Sequence, residues 1–167
     1  MLITTDNPLT STSFIDRFLV TAEAYGIKAV LLFNKIDLYN PEIEVVVEDL
    51  IQTYSKIGYD YLKISAKKCA NLNSLKAIMK DKTNMFSGHS GVGKSTLVNA
   101  IEPALNLKTK VISEMHQQGQ HTTTFAEMFD LSFGAHIIDT PGIKGFGVVD
   151  MDSSELDQYF PEMFVIK

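Results

Sequence analysis

The sequence predicts an α/β fold: a three-layer αβα sandwich around a mostly parallel sheet. Three observations lead there. Short apolar runs of strand length alternate with stretches whose apolar residues recur at helical spacing. A glycine-rich loop at residues 88–95 sits between such a run and a helix. A polar tetrapeptide, Asn34-Lys35-Ile36-Asp37, follows another run, at the strand end where open α/β sheets gather their ligands.

Met1 to Thr5 is short, apolar to β-branched, and stops at the turn signal Asp6-Asn7-Pro8. Residues 13–25 carry Phe14, Ile15, Phe18, Leu19 and Ala22 on one helical stripe, which Gly26 ends. Lys28 to Phe33 reads as a buried parallel strand. Pro41, favoured at a first helical position, opens a helix of about four turns. Tyr61 to Ile64 is the next strand, and residues 71–80 are a short helix. Thr83 to Ser87 feeds the glycine-rich loop, and Lys94 to about Ala104 is the helix after it. Residues 105–124, polar and rich in Thr and Gln, read as a mobile loop. Phe125 to Leu131 and Ala135 to Ile138 form an antiparallel pair joined near Ser132 to Gly134. A short helix over 153–160, capped by Ser153 or Ser154, closes the pattern.

The bulk numbers suit one soluble domain with a real core. No apolar run approaches a membrane span, and no secretory signal precedes the first motif. The single cysteine, Cys69, excludes an internal disulfide framework and fits a reducing cytoplasm. A net charge of −5 excludes general nucleic-acid binding by bulk electrostatics. Any RNA contact needs a local basic patch or a region outside this chain.

Gly88-His89-Ser90-Gly91-Val92-Gly93-Lys94-Ser95 matches a complete phosphate-binding loop, with Thr96 next on the helix. Gly88, Gly91 and Gly93 let successive backbone N–H groups turn inward around phosphate oxygens. The following helix points its positive end at the same place. Lys94 is placed to reach the β and γ phosphates, and the Ser95 hydroxyl to ligate Mg²⁺. This makes the fold a P-loop NTPase.

Asn34, Lys35 and Asp37 then read as a guanine clamp. Asp37 accepts two hydrogen bonds from guanine N1–H and the exocyclic amine. Adenine offers neither, so a buried Asp37 would be left unpaired by ATP. Lys35 lies over the base plane, and Asn34 ties the strand to the phosphate loop or to the base O6. Ser65-Ala66-Lys67 ends another strand, where a backbone N–H can reach guanine O6; a strand-to-helix loop with a capping serine reads equally well. Asp139-Thr140-Pro141-Gly142 follows an apolar strand. Asp139 is placed to hold Mg²⁺ through water, and the Gly142 N–H to meet the γ-phosphate. In the long loop, Thr123, with Thr122 close behind, offers a hydroxyl to Mg²⁺. Ile143 stands where a water-orienting glutamine would follow Gly142, so His121 is the candidate to orient the attacking water. The catalytic candidates are thus Lys94, His121 and Thr123, and the metal candidates Ser95, Thr123 and Asp139.

The clamp precedes the phosphate loop, the reverse of an ordinary small GTPase, so the domain reads as circularly permuted. The order of N-K-x-D, S-A-K, G-x-x-x-x-G-K-S, H-T-T-T and D-T-P-G resembles the circularly permuted GTPases of bacteria. Phe14-Ile15-Asp16-Arg17-Phe18-Leu19, Ser90 to Ser95 and Gly119-Gln120-His121-Thr122-Thr123-Thr124 resemble the RsgA family, also called YjeQ or YloQ. The resemblance runs from near Thr4 to Phe160-Pro161-Glu162 and makes residues 1–167 the GTPase domain alone. It implies an N-terminal OB-fold and a C-terminal zinc module that this chain does not contain. Cys69 lies in the GTPase domain, and His89, His116, His121 and His136 have no zinc-ligand spacing with it. Gln120 replaces the arginine usual in the family before His121.

The resemblance implies GTP and GDP as ligands, Mg²⁺ as cofactor, and hydrolysis of GTP in late maturation of the small ribosomal subunit. Its rRNA and proteins are then the partners, with no membrane, for a cytoplasmic monomer. A nucleotide-gated ribosome- or RNA-binding module with little hydrolysis is the alternative. An ATPase or kinase is disfavoured by Asp37. The permutation also puts Met1 to Thr4 between the phosphate-loop strand and the clamp strand, where a late start is expected to leave ladder groups on the neighbours without partners.

Overall fold

Alternation along two short strands decides the layers. A computed structural model describes residues 1–105, 127–139 and 156–164. Strand β1 (Leu2–Ile3) pairs in parallel with β2 (Val30–Phe33), Leu2 opposite Leu32 and Ile3 opposite Phe33. Leu2 and Leu32 face one core; Met1, Ile3, Leu31 and Phe33 face the other. A period of two with apolar residues on both sides demands cover on both sides.

Helices α1 (Thr12–Ala24) and α2 (Pro41–Ile57) supply one cover through Ile15, Phe18, Leu19, Val47, Ile51 and Tyr54. Helices α3 (Leu72–Met79) and α4 (Lys94–Ile101) supply the other through Leu72, Leu75, Met79, Leu97, Val98 and Ile101. Local signals start and stop them. The Ser11 hydroxyl accepts from the Phe14 N–H at the start of α1, and the Asn40 side chain accepts from Ile43 at the start of α2, just before Pro41. Gly58, at φ +116°, closes α2. Helix α4 ends at Ile101 rather than near Ala104. Pro103 drives Glu102 to φ −141° and out of the helix, and a 3₁₀ turn follows at Pro103–Leu105.

Strand β3 (Asp60–Lys63) runs parallel beside β2. Strand β4 (Thr83–Met85) pairs in parallel with β6 (Ala135–Asp139), which pairs antiparallel with β5 (Glu127–Leu131). The two strand groups join where the Leu2 N–H donates to the Ser87 carbonyl at 2.7 Å. The order across the molecule is therefore β3-β2-β1-β4-β6-β5, with β1 internal as expected. The shortfall expected on its neighbour β2 is not seen. Leu32 N–H donates to the Met1 carbonyl, Asn34 N–H to the Ile3 carbonyl, and the Met1 amine to the Val30 carbonyl at 2.7 Å.

The expected closing helix over 153–160 is a 3₁₀ turn at Leu156–Tyr159, followed by the short α5 (Pro161–Phe164); residues 153–155 lie outside the described residues.

Candidate nucleotide site

Three strands deliver their following loops to one edge of the sheet. The phosphate-type loop follows β4, the Asn34–Asp37 turn follows β2, and Ser65–Lys67 follows β3. In a parallel sheet these are all carboxyl ends, the place where ligands collect.

The loop at 88–95 has a backbone that side chains would spoil. Gly88 sits at φ +148°, and a Cβ there would lie 2.7 Å from the Leu2 carbonyl oxygen. Gly93 sits at φ +101°, and its Cβ would lie 2.6 Å from Nδ2 of Asn34. Both crowded neighbours are pinned, one being sheet backbone and the other a buried amide. Gly88→Ala is expected to destabilise the chain by about 2–5 kcal/mol, the sum of left-handed backbone strain and overpacking. Urea denaturation checks it; an unchanged midpoint would mean the β1–β4 seam gives way easily. Gly93 precedes α4, and the Leu97 N–H donates to its carbonyl at 2.8 Å. Val92 is fully buried and anchors the loop from below. Lys94 Nζ reaches the Gly88 and His89 carbonyls at 2.5 and 2.8 Å, so the ammonium lies within the turn of the loop. Ser95 and Thr96 follow in the first turn of α4; Ser90 and Gly91 are exposed.

Asn34 joins three motifs. Its Nδ2 donates to the Val92 carbonyl at 2.8 Å, and its Oδ1 accepts the Ala66 N–H at 3.0 Å. The side chain is almost wholly buried, at 2% exposure. Of the two roles open to it, it takes the tie to the phosphate loop. The Ser65 N–H donates to the Ala70 carbonyl and the Ala66 N–H to Asn34. Lys67 therefore carries the N–H in this tripeptide without a partner among the described residues.

The Ser65 hydroxyl donates to the Asp37 carboxylate and accepts the Lys68 N–H at 3.0 Å. This corrects the helix-cap reading of Ser65, since its partners are the carboxylate and its own loop. That hydrogen bond, with smaller help from the Lys67 and Lys68 charges, holds the Asp37 carboxyl below the usual carboxylate range. Asp37 itself is exposed, not buried as expected. Its discrimination between bases therefore depends on how far the base itself covers it. Lys35 adopts φ +67°, and its Nζ donates to the Asn7 carbonyl at 2.5 Å.

That last contact reveals residues the sequence reading passed over. Asp6-Asn7-Pro8 reads only as a turn, yet it forms a wall of the site. Pro8 Cδ would lie 3.5 Å from a Cβ on Gly91, and the Phe14 ring stacks on the His89 ring with centroids 3.9 Å apart. No local pattern marks a turn as a wall; only the sheet order does.

His121, Thr122, Thr123 and Gly142 lie outside the described residues. Asp139 ends β6, beside the phosphate-loop strand and at the same sheet edge. Among the described residues no group of three or more His, Cys, Asp or Glu side chains converges on a metal position. Cys69 is a free, exposed thiol.

The RsgA GTPase family model matches residues 1–149. The chain belongs to the RsgA GTPase family. Along its whole length it is 62% identical, over 170 aligned residues, to the small ribosomal subunit biogenesis GTPase RsgA of Flavobacterium psychrophilum, covering 51% of that protein. YjeQ from Thermotoga maritima superposes with a TM-score of 0.81 at 37% identity, over 96% of this chain and 53% of that one. YloQ, described as a circularly permuted GTPase, gives 0.73 at 31% identity, over 98% and 50%. The chain thus spans about half the length of the RsgA proteins it matches. The expected fold class stands: an α/β, circularly permuted P-loop GTPase domain of the RsgA type. No described helix is long and apolar enough to cross a membrane.

Proposed function

We propose that residues 1–167 form the permuted GTPase domain of an RsgA-type protein that binds GTP and GDP and hydrolyses GTP to GDP and phosphate. It acts in late maturation of the small ribosomal subunit, in the cytoplasm and as a monomer, with rRNA and ribosomal proteins as partners. The OB-fold and zinc module implied by the resemblance are other parts of such a protein. The observation that carries the reading is Asn34, whose one amide bonds both the phosphate loop and the Ser65–Lys67 turn. Two loops held that closely suit one ligand with a base at one end and phosphates at the other. The RsgA names of the relatives support the ribosomal part.

In this reading the backbone N–H groups of Gly88 to Ser95 receive the phosphate oxygens. Lys94 exchanges the Gly88 and His89 carbonyls for the β and γ phosphates. Asp37 accepts from guanine N1–H and the exocyclic amine, Lys35 flanks the base, and the Lys67 N–H meets O6. The crowding at Gly88 and Gly93 fits a cradle that has no room for side chains. Ser95, Thr123 and Asp139 would hold Mg²⁺, which would neutralise charge developing on the phosphoryl oxygens. The Gly142 N–H meets the γ-phosphate, and His121 orients the attacking water.

Displacement of a fluorescent GDP tests the reading. GTP and GDP are expected to compete at least about a hundredfold better than ATP, as a hydrogen-bonding pocket discriminates. Equal competition by ATP would defeat it. Phosphate release with and without small ribosomal subunits then separates a hydrolase from a binding module. Single-turnover hydrolysis by His121→Ala at unchanged GTP affinity decides the role of His121: an unaltered rate removes it from the mechanism.

A further inference from the structure

The connection from β1 to α1, residues 4–11, together with the first turn of α1, touches both halves of the nucleotide site. It is closed on itself. The Thr4 N–H donates to the Thr10 hydroxyl at 3.1 Å, the Thr10 N–H to the Thr4 carbonyl at 2.8 Å, and the Thr4 hydroxyl to the Pro8 carbonyl at 2.5 Å. At one end the Asn7 carbonyl takes the Lys35 ammonium. At the other end Phe14, in the first turn of α1, lays its ring on His89 at 3.9 Å and 30° between planes.

Phe14 stands on a firm base. The next residue, Ile15, is fully buried, as nearly are Phe18 and Leu19, and Asp16 accepts the Tyr54 hydroxyl at 2.7 Å. The loop it touches is the opposite. Gly88, Gly91 and Gly93 all have positive φ, so its backbone has freedom that packing must remove. Val92 is held from beneath by burial, and His89 from the side by Phe14. His89 is also the residue whose carbonyl accepts Lys94 Nζ. A line of contact therefore runs from the α1 ring through His89 to the lysine.

We propose that Phe14 is a positioning residue of the nucleotide site: its ring holds His89, and through it the phosphate loop and Lys94, in the shape that receives the phosphates. The proposal rests on the nucleotide reading above. Phe14 itself touches no phosphate.

The test measures labelled GDP binding and thermal unfolding of the 167-residue chain and its variants. Phe14→Ala is expected to weaken GDP about three- to tenfold, the range of an aromatic pair. Phe14→Tyr keeps the ring and restores binding. Phe14→Leu keeps helix packing without the stack and binds like Phe14→Ala. His89→Ala weakens binding to a similar degree, and adding Phe14→Ala to it changes nothing further, because the pair acts as one unit. Wild-type affinity in Phe14→Leu, or a full Phe14→Ala effect in the His89→Ala background, would overturn the proposal. Should Phe14→Ala melt below the assay temperature, His89→Ala removes the same stack from the loop side; unchanged GDP affinity there overturns it equally. A wild-type chain that fails to bind GDP removes the nucleotide reading and this proposal together. A wild type that binds beside variants that bind equally well removes the proposal alone.

Discussion

Replacing Asn34 with alanine is expected to destabilise the folded chain by about 2–5 kcal/mol, because two buried backbone groups lose their partners at once. The Val92 carbonyl is left without the Nδ2 donor, and the Ala66 N–H without the Oδ1 acceptor. Each group is shut away from water that could replace the lost bond. The loss also reaches the ligand, since the phosphate loop and the Ser65–Lys67 turn are then free to drift apart. Asn34→Asp sharpens the prediction. It keeps the acceptor for Ala66 but sets a buried anion against the Val92 carbonyl, and should be at least as damaging. Urea unfolding with and without GDP reads both effects. An Asn34→Ala chain that unfolds at the wild-type midpoint and keeps its GDP affinity would show that the bridge is dispensable.

Asp37→Asn is expected to leave the fold nearly untouched and to lower GTP affinity by at least about a hundredfold. Asp37 is exposed in the short 3₁₀ turn Ile36–Leu38, so little packing depends on it. Its chemistry is what changes. The carboxylate accepts twice from guanine, whereas an amide faces the exocyclic amine with a donor of its own. Xanthine carries a carbonyl in place of that amine, so xanthosine nucleotides should gain affinity in the variant. Wild-type binding should also survive acid better than an ordinary carboxylate allows. Ser65 donates to Asp37, which lowers its folded-state pKa, so the charged form persists as pH falls through the usual carboxylate range. Competition assays with guanosine, xanthosine and adenosine nucleotides check the substitution. Unchanged guanine preference in Asp37→Asn would remove Asp37 from base recognition.

Much of the site was legible because its signals are local. Glycines at 88, 91 and 93 announce a loop of positive φ, and all three adopt it. Pro41 opens α2 at its first helical position, as its fixed φ requires. Pro103 carried an equally plain message about the end of α4, and the expected helix ran past it. Other features had no local signal. Whether Asn34 turned to the loop or to a base was open, since its partner Val92 lies 58 residues away. The exposure of Asp37 and the stack of Phe14 on His89 were equally invisible. Phe14 read as one more apolar position on a helical stripe, although it is only half-buried and faces a loop.

Taken alone, the sequence determined where the chain turns, which residues alternate between faces, and which backbone segments lack room for a side chain. Those properties follow from dihedral sterics and periodicity within a few residues. Tertiary structure decided which loops meet: Asn34 beneath Val92, Ser65 against Asp37, Asn7 at Lys35 and Phe14 over His89. Those meetings depend on strand order, and strand order follows from covering both apolar faces of the sheet at once, a condition that no single stretch of residues contains.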